Sequence, residues 1–140
     1  MREFARSLAR GSRGSRLGRL AAVFSFVAHL VDVPPPEPDR PRDGVDVLLG
    51  LVGGDEGPAV ILAALLQALG ERAGVEWLPP GPPFVRVQID AADLARLPPY
   101  AGVRAEGQRL YIPLDPRRAR TPVGFLPKGA RGRWLDPFKN

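Results

Sequence analysis

The residues able to do chemistry are few, and they stand in two kinds of place. Asp55 and Glu56 follow Gly53-Gly54 and come directly before Gly57-Pro58 and an apolar run from Ala59 to Leu69. A third acid, Asp115, lies between Leu114 and Pro116. Carboxylates so placed can cap a helix, bond a turn backbone, or serve as acids and bases. The arginines are the second group. Arg10, Arg13, Arg16 and Arg19 recur at every third residue, and Arg117, Arg118, Arg120, Arg131 and Arg133 crowd the far end. Guanidinium groups make planar two-point contacts to phosphate and carboxylate. The chain has no cysteine and a single histidine, His29. Disulfides, thiolate zinc sites, iron–sulfur clusters and cysteine nucleophiles are therefore excluded, and imidazole chemistry is poorly supplied. Gly53-Gly54 is no phosphate loop, because no Gly-Lys-Ser/Thr follows it.

The setting of these residues is uneven in charge. Residues 1–33 carry six arginines against Glu3 and Asp32, a net of +4, and residues 117–140 carry a net of +6. The stretch between them has seven arginines against twelve acids, a net of −5. Basic ends around an acidic body point to partners more than to fold. A length of 140 residues predicts one domain, and 44% hydrophobic residues is enough for a core. Sixteen glycines and seventeen prolines demand several loops. The longest apolar stretch, Leu20–Val31, has twelve residues, far short of the roughly 20 that span a bilayer. No small-residue cleavage pattern follows it, so it reads as a helix of the fold rather than a signal peptide.

The elements that must position the chemistry follow from periodicity. Residues 1–10 read as a short helix, broken by Gly11-Ser12-Arg13-Gly14-Ser15. Leu17, Leu20, Phe24, Val27 and Val31 form a buried helical stripe that ends at Pro34-Pro35-Pro36. After a Pro- and Asp-rich loop, Asp43–Leu51 suits a short helix or turn. Pro58–Leu69 reads as a helix with Asp55 as N-cap and Gly70 as its stop. Only Gln67 is polar in its body, so it must be buried on most sides. The period then changes to two. Gly74–Leu78 and Phe84–Ile89 read as strands joined by Pro79-Pro80-Gly81-Pro82-Pro83. Asp90 opens a short helix to Leu97, and Val103–Leu114 suits a hairpin turning at Glu106-Gly107. Of the two tryptophans, Trp77 reads as a core residue and Trp134 as a docking residue. From Asp115 onward there is no periodicity.

Three stretches in this order resemble the transglutaminase-like superfamily, whose fold is papain-like. They are Gly53-Gly54-Asp55 leading into Ala59-Val60-Ile61-Leu62-Ala63-Ala64-Leu65-Leu66-Gln67-Ala68-Leu69-Gly70, then Phe84-Val85-Arg86-Val87-Gln88-Ile89, then Tyr111-Ile112-Pro113-Leu114-Asp115-Pro116. The resemblance implies an α+β fold, with an N-terminal helix and a central buried helix packed on a small antiparallel sheet, flanked by extended basic termini. It also implies where a catalytic triad would fall. Asp55 stands at the cysteine position, Phe84 at the histidine, and Asp115 at the acid that orients it. Only the acid is kept. A nucleophile without thiolate or base is no catalyst. The same alignment would bring Asp55, Glu56 and Asp115 together, but capping and turn bonding account for those carboxylates without a metal.

The expectation is a catalytically inactive transglutaminase-like domain that serves as a structural, assembly or docking protein. Its division would be a basic arm (1–19), a core (20–116) and a basic Pro/Gly-rich tail (117–140). No cofactor and no metal are expected. The partners would be other protein subunits of an assembly, met by Arg13, Arg16, Arg19, Arg117, Arg118, Arg120, Phe125, Arg131, Arg133, Trp134 and Phe138. The pattern Leu-Asp-Pro followed by Gly124-Phe125-Leu126-Pro127 resembles relatives in tailed-phage and prophage structural gene clusters. A phage-like particle or a bacterial cytoplasm is the setting that this implies. The alternative is non-specific binding of nucleic acid by the arginines. No membrane is involved.

Overall fold

A helix that is apolar nearly all round needs cover on more than one side, and the computed structural model shows what supplies it. It describes residues 2–10, 15–32, 56–79, 81–117, 123–126 and 128–136. Along them run α1 (Arg2–Ala9), α2 (Arg16–Asp32), α3 (Gly57–Ala68), β1 (Ala73–Glu76), β2 (Phe84–Ile89), α4 (Ala91–Leu94), β3 (Arg104–Glu106), β4 (Arg109–Leu114) and α5 (Lys128–Leu135). The fold is thus α+β, and the described residues form five helices and one four-stranded antiparallel sheet of order β1-β2-β4-β3.

The buried helix is α3. Pro58, Ala59, Ile61, Leu62, Ala63, Leu65 and Leu66 are all buried. One side of α3 meets α1 and α2, which contribute Ala5, Leu20, Val23, Phe24, Val27 and Leu30 to the same core. The other side meets the sheet through Val85, Val87 and Ile89 of β2 and Ile112 and Leu114 of β4. These alternate along their strands, so one face of the sheet is wholly apolar. Proline in the first turn starts α3 without losing a bond. Its end is a Schellman turn: Gly70 takes φ +88, its N–H donates to the Gln67 carbonyl, and the Glu71 N–H donates to the Leu66 carbonyl.

The expected hairpin forms, but its turn is Gly107-Gln108, one residue later than the expected Glu106-Gly107. Glu106 pairs with Arg109, and Gly107 at φ +63 supplies the left-handed residue of a two-residue turn. Pro113 sits in a central strand without harm, because β3 stops at Arg104, opposite Tyr111. Its carbonyl accepts the Gly124 N–H at 3.1 Å, so the returning chain takes the place of β3 there. Asp90 is the N-cap as expected, and its N–H donates to Asp93 Oδ2 at 2.9 Å, although the helix it opens ends at Leu94 rather than Leu97.

Three sequence expectations give way. The arm drawn as residues 1–19 is not separate: α1 buries Ala5 completely in the main core, and α2 begins at Arg16. The tail drawn as extended contains α5, whose pattern of one tryptophan among arginines and glycines carries no helical period. The N-cap of α3 is Glu56 rather than Asp55, and its side chain makes no capping bond. The Pro- and Asp-rich loop and Asp43–Leu51 lie outside the described residues. No helix among the described residues is long and apolar enough to cross a membrane.

Leu62 is fully buried between sheet and helices. Leu62→Ala should cost about 2–5 kcal/mol, read as a lower urea midpoint at unchanged slope. Leu62→Asp should not fold, since it buries an unpaired carboxylate. A cooperatively folded Leu62→Asp protein would show that α3 is not the centre of the core.

Candidate functional site

The strands end, and α3 begins, around an open cleft of about 640 Å³ lined by Glu56, Val75, Trp77, Gly81, Pro82, Pro83 and Arg117. Each wall has a local cause. Glu56 is there because it is the N-cap of α3, and its carbonyl accepts the Val60 N–H at 3.0 Å. Val75 is in β1, and Trp77 follows it by two residues. Gly81, Pro82 and Pro83 lead into β2. Trp77 is 63% exposed, yet its indole N–H donates to the Gly81 carbonyl at 2.8 Å. The ring is thereby pinned across the turn, at the mouth of the cleft.

Two of the three positions implied by the resemblance stand beside this cleft. Val85 pairs with Leu114, which puts Phe84 and Asp115 at the same end of the central strand pair. Phe84 is buried and meets the Trp134 ring edge-on, with centroids 5.5 Å apart. Asp115 is buried, and its Oδ1 accepts the Arg117 N–H at 3.2 Å, a turn-forming bond. Asp55 lies outside the described residues. Neither Phe84 nor Asp115 lines the cleft.

The residues expected to meet a partner divide sharply. Arg16 and Arg19 are engaged within the fold. Arg16 lies 3.1 Å from Asp90, 3.6 Å from Glu71 and 3.8 Å from Asp93, and Arg19 lies 3.7 Å from Glu71. They tie the start of α2 to the end of α3 and the start of α4. Trp134 is the largest correction: it is 0% exposed and serves as a core residue, while Trp77 is the exposed tryptophan. Phe125 is half-buried and stacks edge-on with Tyr100 at 6.2 Å. Arg117 lines the cleft, Arg131 is exposed and Arg133 is half-buried. Arg13, Arg118, Arg120 and Phe138 lie outside the described residues.

Trp134 holds together a second, smaller core on the far face of the sheet, with Phe84, Tyr111 and Leu126. Its indole N–H points to the Gly102 carbonyl at 3.3 Å. Its ring lies 4.0 Å from the Arg104 guanidinium carbon. Arg104 is itself only 3% exposed and reaches Glu76 at 2.8 Å across the sheet. Its Nε is 3.3 Å from Glu106 without hydrogen-bond geometry, and its Nη1 has no hydrogen-bond partner. The aromatic face of Trp134 therefore compensates a cation that its acids satisfy incompletely. Sequence reading missed this site because Arg104 and Trp134 are thirty residues apart and neither fits a period. Gly102 was the available signal, since a Cβ there would stand 3.2 Å from Trp134 Cδ1. No family model, curated protein or solved structure matches this chain.

Trp134→Ala should lower stability by about 3–5 kcal/mol, measured by urea unfolding. Deleting residues 117–140 should destabilise the domain as well, rather than merely remove a docking arm. A truncated protein with the unfolding midpoint of the full chain would show that α5 adds nothing to the fold.

Proposed function

We propose that this chain is a non-catalytic, transglutaminase-like docking protein, a structural or assembly component that works through its surface. One observation carries the reading. At the end of the sheet where the resemblance would put base and orienting acid, Phe84 is sealed under Trp134 and Asp115 is committed to a turn, while the adjoining cleft presents a pinned, exposed Trp77. A reactive centre needs a nucleophile and a base within reach of one another. A docking surface needs rigid aromatic area beside polar groups. The cleft meets the second description. A phage-like particle is the setting proposed for it, from the Leu-Asp-Pro and Gly-Phe-Leu-Pro patterns.

Docking is favoured over nucleic-acid binding by the arginines themselves. Arg16 and Arg19 spend their charge on Glu71, Asp90 and Asp93. The exposed Trp77 stands among prolines and valine, in a cleft with one acid and one arginine. Base-stacking surfaces instead interleave aromatics with a basic groove.

The full chain should neither hydrolyse a peptide amide nor transfer an amine onto a glutamine-containing peptide above the buffer blank, followed by mass spectrometry. Turnover by the unmodified protein that scales with its concentration would overturn the non-catalytic reading.

A further inference from the structure

We infer that the open edge of β1 and the adjoining cleft receive an extended segment of a partner protein. The segment pairs with the Val75 backbone, seats a proline or aliphatic side chain on Trp77, and offers a lysine or arginine to Glu56. This rests on the docking reading and names the partner's chemistry.

The backbone argument comes first. Among the described residues β1 is an edge of the sheet, bonded to β2 alone. The Gln88 N–H donates to the Arg72 carbonyl at 2.9 Å, and Gly74 is opposite Arg86. Antiparallel pairing alternates, so Arg72, Gly74 and Glu76 turn their backbone groups towards β2, and Ala73 and Val75 turn theirs outwards. The outward Ala73 carbonyl is already taken by Gln67 Nε2 at 2.8 Å. Val75 keeps an N–H and a carbonyl side by side, with no partner among the described residues. One such residue is the pairing unit of an added strand.

The side chains select what is added. Val75 and Trp77 are 46% and 63% exposed, two apolar groups at alternate positions on an edge. Pro82 and Pro83 extend the apolar wall. The Trp77 ring is held by its bond to Gly81, so little freedom is lost when a ligand covers it. Glu56 lines the cleft, its side chain makes no capping bond to its own helix, and it has no ion-pair partner among the described residues. Of the two charged residues of the lining, Glu56 and Arg117, it is Glu56 that favours a cationic residue in the occupant.

The test is panning of a phage-displayed random-peptide library against the full chain, followed by titration of the enriched peptides. Enriched peptides should combine proline or aliphatic residues with lysine or arginine. Trp77→Ala should weaken them at least about tenfold and Glu56→Gln about threefold. Trp77 is exposed, so its variant should keep the urea midpoint of the parent. Val75→Pro, which removes the outward N–H together with the valine side chain, should weaken them as well. Hydrogen exchange at the Val75 amide should slow when peptide is bound. Peptides indifferent to Trp77, or bound without protection of Val75, would overturn the inference and leave the docking reading standing. So would a concentration-dependent dimer abolished by Trp77→Ala, which would assign the edge to a second copy. Amide turnover by the chain would instead strike the docking reading itself.

Discussion

The structure depends on the burial of α3. A helix whose body is AVILAALLQA, with a single polar residue, cannot lie on a surface as an ordinary amphipathic helix does. It needs cover from two directions, and each source of cover had to be apolar on one side only. The sheet provides it by alternation: Val85, Val87 and Ile89 face α3, and Arg86 and Gln88 do not. Helix α2 provides it through a stripe of Leu20, Val23, Phe24, Val27 and Leu30. Even α1, short and rich in charge, is drawn in by Ala5. The ion pairs of Arg16 and Arg19 then hold the start of α2 against the end of α3. Those pairs are partly exposed, so geometry more than energy is their contribution.

Covering one face of a sheet leaves the other to be managed. Here that face carries Arg86, Arg104, Glu76 and Glu106, a polar lattice unable to form a core of its own. A fully desolvated guanidinium with an unbonded Nη1 would be costly. Trp134 resolves this by placing an aromatic face over Arg104 and an edge against Phe84. The sequence after β4 must therefore return, and it does so through Gly124, at φ +84. A Cβ at Gly124 would come within 2.9 Å of Ala101. Glycine there permits both the turn and the close approach.

What could be read from the residues alone was whatever depends on local period. The α3 helix, the strand Phe84–Ile89, the hairpin and the Asp90 cap are all written in contiguous residues. The roles of the two tryptophans were not. Trp77 follows a strand and looks like core, but β1 is an edge and its connection to β2 turns the ring outwards. Trp134 sits among arginines and looks like an exposed anchor, yet the half-covered sheet face attracts it. Both reversals come from strand order, which is a non-local property that no window of residues reports. Arg16 and Arg19 were misread for the same reason, since Glu71, Asp90 and Asp93 are brought to them only by the fold. The cleft was partly legible, through Glu56 before the helix and the prolines before β2. Its aromatic side was not.

The two edges of the sheet are guarded unequally, and this bears on what the surface is for. β3 is three residues long and ends in the exposed Glu106, and beyond its start Gly124 takes the Pro113 carbonyl. Short length and charge are the ordinary defences of an edge strand. β1 has neither lysine nor proline within it, ends in Val75 and Glu76, and is followed by the exposed Trp77. Its one defence among the described residues is Gln67, which reaches from α3 to occupy the Ala73 carbonyl. That contact blocks the edge on one side of Val75 and leaves Val75 itself open. A strand guarded at one residue and open at the next, beside a ring fixed in place by its own hydrogen bond, limits what can pair there to a short segment in one register. Unspecific edge-to-edge association would need the longer, flatter run that Gln67 interrupts.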